Sequence, residues 1–198
     1  MKTRITLSFG LIAPLIFVGG TLVMGALLPY YNPVSQTVSE IGEIGSKFQT
    51  PYTMMDIFSG ISILVFSIGL GSFSRNQSLS LWPSPLIASY GLMNLGLGIF
   101  SSPHPLHNIF GLGSIIGYLS PLVLAFAWRK SPDRNVVVVS WMIAILVIVT
   151  MFLNLSPVFW PDLYPLQYYG IIQRSLLYPF FGWLGYLALW ALGNRDDL

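Results

Sequence analysis

Cysteine is absent from this chain, which removes disulfides, thiolate metal ligands and cysteine nucleophiles from its chemistry. Charge is almost as scarce. Only 8% of the 198 residues are charged, where a soluble domain carries about 25%. A water-facing surface needs about 25–35% charged residues, so this chain cannot cover itself with charge. The net charge of +2 comes from scattered basic residues, which excludes the basic stripe of a nucleic-acid binder. There is no nucleophile elbow, P-loop or dinucleotide fingerprint. Linkers, low-complexity tracts and internal repeats are missing too. Nor do the apolar stretches contain the series of charges expected of a proton relay or voltage sensor, which disfavours a coupled ion transporter.

What is present is apolar sequence in long runs, with 54% of residues hydrophobic. A spanning helix needs about 20 predominantly apolar residues. Six runs qualify as expected spans: Ile5–Leu28, Tyr52–Phe73, Pro85–Ser102, Leu106–Trp128, Val136–Leu155 and Ile171–Leu192. The fifth is rich in β-branched residues, but its length and lack of alternation favour a helix in lipid. The first follows Lys2 and Arg4, yet it exceeds a signal-peptide core and lacks a small-x-small cleavage site. An uncleaved helix is expected there. The expected fold is therefore an all-α, polytopic transmembrane bundle of six helices forming one domain over 1–198.

Orientation follows from the basic residues. Lys2, Arg4, Arg75, Arg129, Lys130, Arg134 and Arg195 fall on one side of such a bundle, and Lys47 and Arg174 on the other. The positive-inside rule then places both termini in the cytoplasm, in the inner or plasma membrane. Gly113 and Gly117 make a small-xxx-small pair, and Gly91 recurs at Gly98. Such glycines let helices approach closely, either within the monomer or between copies; the first is favoured. Trp82, Trp128, Trp141 and Trp160 lie near expected span ends, as an aromatic belt would.

The remaining polar residues gather on the outer side: Glu40, Glu43, Asp56, His104, His107, Asp162 and Arg174, joined by Asn108, Asn154 and Gln173. The basic side offers short loops and a terminal Asp196–Asp197. A charge deep in a bilayer usually faces the bundle interior and pairs, so Arg174 is expected to pair with Glu40 or Asp56. Snorkelling to water is the alternative. Glu40 and Glu43 would share a face on a helical turn and could bind a cation or do acid–base work. Against that, Thr37 and Glu40 have capping-box spacing, and Glu43 reads as solvated loop charge. Pro105 suits the first helical position, which sets His104 near an N-cap and His107 in the first turn. Two imidazoles at i,i+3 could share a metal ion, although a site needs three or four ligands. One imidazole could instead serve as acid or base.

The same residues carry a family resemblance. The run Tyr31-Asn-Pro-Val-Ser-Gln-Thr-Val-Ser-Glu-Ile-Gly42, the turn Pro103–His107 and the pair Gln173–Arg174 resemble a prokaryotic family of six-span proteins. That family is called domain of unknown function nine-nine-eight. The resemblance covers nearly the whole chain and makes Ser39, Glu40, Gly42, His107 and Arg174 the family-like positions; it implies no reaction.

Two functions remain open. In the first, the protein binds a lipid or small ligand, or assembles with a membrane partner or a second copy. Ser39, Asp56, Asn108 and Arg174 would then hold the ligand. In the second, it is a membrane-embedded enzyme acting on a lipid or isoprenoid at the outer leaflet. Glu40 and His107 would supply acid–base chemistry there, with a metal ion on His104 and His107 as the cofactor to test and Arg174 on an anionic headgroup.

Overall fold

Helix is the only regular structure among the described residues, as expected of a chain that must satisfy its backbone within each segment. The computed structural model describes residues 2–131 and 133–194; Arg195, Asp196 and Asp197, named above, lie outside the described residues. The elements are α1 (Lys2–Leu27), α2 (Val38–Ile41), α3 (Gln49–Asn76), α4 (Pro83–Ile99), α5 (Pro105–Tyr118), α6 (Ser120–Ala127), α7 (Arg134–Phe159) and α8 (Tyr169–Gly193). A 3-10 turn, Leu166–Tyr168, leads into α8. The β-branched run lies in α7, which is helical throughout.

Five stretches are long and apolar enough to cross a membrane: Thr3–Leu27, Gln49–Asn76, Pro105–Ala127, Arg134–Phe159 and Leu166–Gly193. The expected third span is α4, whose 17 residues give a rod of about 25 Å at about 1.5 Å per residue. That is short of a hydrocarbon core about 30 Å thick. Its end is set by Ser102-Pro-His-Pro105, because residues preceding proline are driven out of the helical region.

The expected fourth span, Leu106–Trp128, is matched by Pro105–Ala127, with an interruption in its helix. It breaks at Leu119 into α5 and α6. Pro121 has no N–H for the Gly117 carbonyl, and its ring crowds that turn. Pro14, Pro157 and Pro179 sit inside helices that continue past them.

The helices pack as a closed ring in chain order, α1 on α3, α3 on α4, α4 on α5, α6 on α7, α7 on α8, and α8 back on α1. Large apolar side chains such as Leu15, Met142 and Ile145 face outward, while Ser59, Ser62, Ser67, Asn94 and Ser140 are buried. Lipid tolerates that inversion and water does not. The glycines serve contacts within the chain. Gly60 and Gly91 bring α3 and α4 backbones together, Gly117 receives Tyr90, and a Cβ on Gly98 would sit 2.9 Å from that of Asp56.

At the end that collects Arg4, Arg75, Arg129, Lys130 and Arg134, tryptophans close the bundle. Trp128, placed in the belt by its position in sequence, is fully buried and donates from Nε1 to the Ser80 carbonyl at 2.9 Å. Trp190 donates to Asp133 Oδ2 at 2.6 Å. Trp82 and Trp160 are exposed, as a belt requires.

Candidate functional site

At the opposite end, the chain between α1 and α3 folds over the ring and carries α2 into it. Thr37 starts α2, and Glu40 reaches back to it: Oε1 accepts from the Thr37 N–H at 2.8 Å and from the Thr37 hydroxyl at 3.0 Å. This is the capping box read from the spacing. Gln36 Nε2 donates to the second carboxylate oxygen at 3.0 Å. Because α2 ends at Ile41, Glu43 lies beyond it in exposed loop and shares no helical face with Glu40. Asp162 is exposed as well.

Arg174 makes neither of the expected ion pairs. Its Nη1 donates to the carbonyls of Pro33 and Gln36, both at 2.8 Å, and of Gly170 at 2.9 Å, and Nη2 donates to the Tyr31 hydroxyl. The guanidinium also lies over the Tyr31 ring, 5.5 Å from its centroid. A planar fork can satisfy several carbonyls at once, and here it ties the loop before α2 onto α8. Burial raises the Tyr31 phenol above its usual value near 10, with the Arg174 charge opposing the shift. Gly170 is needed for the same seam, since a Cβ there would collide with the Gln36 and Pro33 carbonyls.

Behind this seam the ring encloses a cavity of about 510 Å³, within the roughly 300–1,000 Å³ usual for small-molecule sites. Helices α1 to α5, α7 and α8 all contribute to its wall. Its polar groups include Ser39, Asp56, Asn94, His107, Asn108 and Gln173, beside a larger apolar part. Glu40 and Arg174 are not among the lining residues, so of the two acid–base candidates only His107 borders the cavity.

His104 and His107 do different things. His104 is the N-cap of α5, its Nδ1 accepting from the Leu106 N–H at 3.2 Å, and its ring packs 5.1 Å from that of Phe100. His107, 9% exposed, turns inward. Its Nδ1 lies 2.8 Å from the Phe100 carbonyl and its Nε2 lies 3.2 Å from Ser39 Oγ. A carbonyl can only accept, so Nδ1 carries the proton in the neutral ring and Nε2 presents a lone pair to the serine hydroxyl. No cluster of three or more His, Asp or Glu able to hold a metal occurs among the described residues. The expected sharing of a metal by His104 and His107 finds no third ligand among the described residues.

Asp56 and Gln173 are among the groups in the wall that keep spare valences. Asp56 is 2% exposed, and its Oδ1 has no hydrogen-bond partner among the described residues. Asn94 beside it donates to the Asp56 backbone carbonyl at 2.8 Å, not to the carboxyl. Gln173 Oε1 accepts from the Val38 N–H at 2.8 Å, which fixes the amide orientation and directs its NH2 elsewhere. Tyr52 and Asn94 escaped the sequence reading. The signal for Asn94 was available, as the sole side-chain amide in the run Pro85–Ser102.

The cavity reaches the bundle surface between α5 and α7. Because of the break at Leu119, α5 packs chiefly on α4 and α6 chiefly on α7, so α5 and α7 touch little. Leu112 and Val158 line the cavity while 56% and 74% exposed. Asn108, also exposed, lines the cavity one turn from Leu112, so the gap is apolar in part only.

Residues 11–190 match the family described as "Protein of unknown function (DUF998)", and the chain belongs to that family. No curated protein and no solved structure matches.

Proposed function

We propose that this member of an uncharacterised membrane-protein family holds an amphiphile in its central cavity. The polar head would lie against α2, Asp56 and Gln173, and the chain would leave between α5 and α7. The observation that carries this is the buried Asp56 carboxyl, which lines the cavity and whose Oδ1 has no partner among the described residues, together with the exposed Leu112 and Val158 in the same wall. An unpaired buried acceptor is costly, and a ligand hydroxyl or amine would satisfy it. No Lys or Arg lines the cavity among the described residues, so the head is neutral or cationic and rich in donors. Arg174, the expected partner of an anionic headgroup, does not line the cavity.

The topology proposed with this function has six crossings, counting α4 as one and α5 with α6 as another. The basic end lies in the cytoplasm, supported by Arg4, Arg75, Arg129, Lys130 and Arg134 against Lys47 and Arg174. The cavity then sits at the depth of the outer leaflet. Because the chain has no cysteine, Lys47→Cys and Lys130→Cys report on this directly. In intact cells an impermeant maleimide should label the first and spare the second.

The binding test is photolabelling in lipid nanodiscs with a monoacylglycerol carrying a diazirine in its acyl chain. Adducts are expected on Leu112, Ile115, Met151 or Leu155, displaced by unlabelled monoacylglycerol and not by phosphatidic acid. Adducts confined to outward residues such as Leu15, Met142 and Ile145 would reject the reading.

A further inference from the structure

We propose, on the basis of the amphiphile-binding reading, that Ser39 and His107 are a nucleophile and its general base, acting on an acyl ester held in the cavity. Three observations meet at these residues. Ser39 Oγ lies 3.2 Å from His107 Nε2, the hydrogen-bonded arrangement that activates a serine. The Phe100 carbonyl, 2.8 Å from Nδ1, fixes the tautomer that leaves Nε2 basic. It does for the imidazole what a buried carboxylate does in a catalytic triad. Both side chains line the cavity, so the pair is presented to whatever occupies it.

A purely structural tie would leave no acceptor or donor over. Here the neighbourhood keeps both. Gln173 lines the same cavity as Ser39 with its Oε1 held by the Val38 N–H, and its NH2, which has no hydrogen-bond partner among the described residues, is the donor left for the carbonyl oxygen of an ester attacked by Ser39. The Asp56 carboxyl, which lines the cavity with its Oδ1 unpartnered among the described residues, suits the hydroxyls of the alcohol part. The substrate class is accordingly a fatty-acyl ester of a neutral or cationic, donor-rich alcohol.

The chemistry balances with water as co-reactant. Ser39 Oγ attacks the ester carbonyl carbon while His107 Nε2 takes the serine proton. The tetrahedral intermediate collapses, the bond from carbonyl carbon to alcohol oxygen breaks, and the alkoxide takes that proton from Nε2. Water then attacks the acyl-serine with His107 again as base. The carboxylic acid leaves and Ser39 recovers its proton. A second alcohol in place of water would give acyl transfer by the same steps.

The test uses the full chain in nanodiscs and a long-chain alkyl fluorophosphonate, which traps an activated serine by losing fluoride. One adduct per chain is expected, mapped to Ser39 and prevented by prior heat unfolding. His107→Gln should slow its formation at least about 100-fold, the lower range for loss of a general base. Folded wild-type protein that forms no adduct at Ser39 would overturn the proposal, as would an equal rate in folded His107→Gln. If that variant does not fold, the contrast between folded and unfolded wild-type protein decides alone. Cavity photolabelling without a Ser39 adduct would sink the chemistry and leave the binding reading standing. Loss of photolabelling would remove the premise of both.

Discussion

Two polar clusters lie side by side at the α2 end, and their hydrogen-bond accounts differ. In the outer one, Arg174, Tyr31, Gln36, Thr37 and Glu40 saturate one another and the loop backbone. In the inner one, Asp56 Oδ1 and the Gln173 NH2 have no partner among the described residues, and Ser39 with His107 lines the cavity. A polar group whose valences are spent on its own chain holds the fold together. One whose valences remain, in a cavity, is available to a ligand. That difference, more than the presence of charge, separates structural from functional residues here.

Substitutions in the outer cluster should therefore cost stability, the largest effect first. Arg174→Met strips the donors from three carbonyls and a phenol. A loss of about 3 kcal/mol is expected, since hydrogen bonds to charged groups contribute about 1.5–3 kcal/mol each and buried acceptors left bare cost more. Thermal unfolding in detergent would show it, and Arg174→Lys should not rescue, having no planar fork. A melting temperature unchanged in Arg174→Met would dissolve the contrast between clusters.

Gly170→Ala comes next. The added methyl meets backbone oxygens that cannot rotate away, so about 2 kcal/mol should be lost, in the range for overpacking. Glu40→Ala removes the capping box and should cost about 1 kcal/mol, with photolabelling of the cavity unaffected. If Glu40→Ala abolished photolabelling while the protein stayed folded, the outer cluster would have a ligand role after all.

The smallest expected effect is a pH dependence. The Tyr31 phenol is raised in the folded state, so its contribution is intact below pH 10 and fades as pH climbs past that value. Alkaline melting curves should show a modest decline that Tyr31→Phe lacks.

Much of this architecture can be read in the sequence because lipid leaves the backbone few choices. Apolar runs became helices, including the β-branched one in α7. Local motifs were legible for the same reason of short range: Thr37 with Glu40, and His104 ahead of Pro105. The contacts that define the site were not. Ser39 and His107 are 68 residues apart, and nothing in either segment names the other. The partners of Arg174 are carbonyls, which every residue possesses, so a carboxylate was the natural but mistaken choice. Pro121 was visible, but so were Pro14, Pro157 and Pro179, whose helices continue. Which proline breaks a helix depends on what packs around it, and that break is what parts α5 from α7.

The most direct test of the difference between the clusters is Asp56→Ala, followed by melting temperature and monoacylglycerol affinity in the same nanodisc preparation. Removing an acceptor that has no partner should leave stability unchanged or slightly raised, while affinity falls at least about tenfold, or roughly 1.4 kcal/mol. A variant that melts as early as Arg174→Met yet binds monoacylglycerol like the wild type would contradict the central claim.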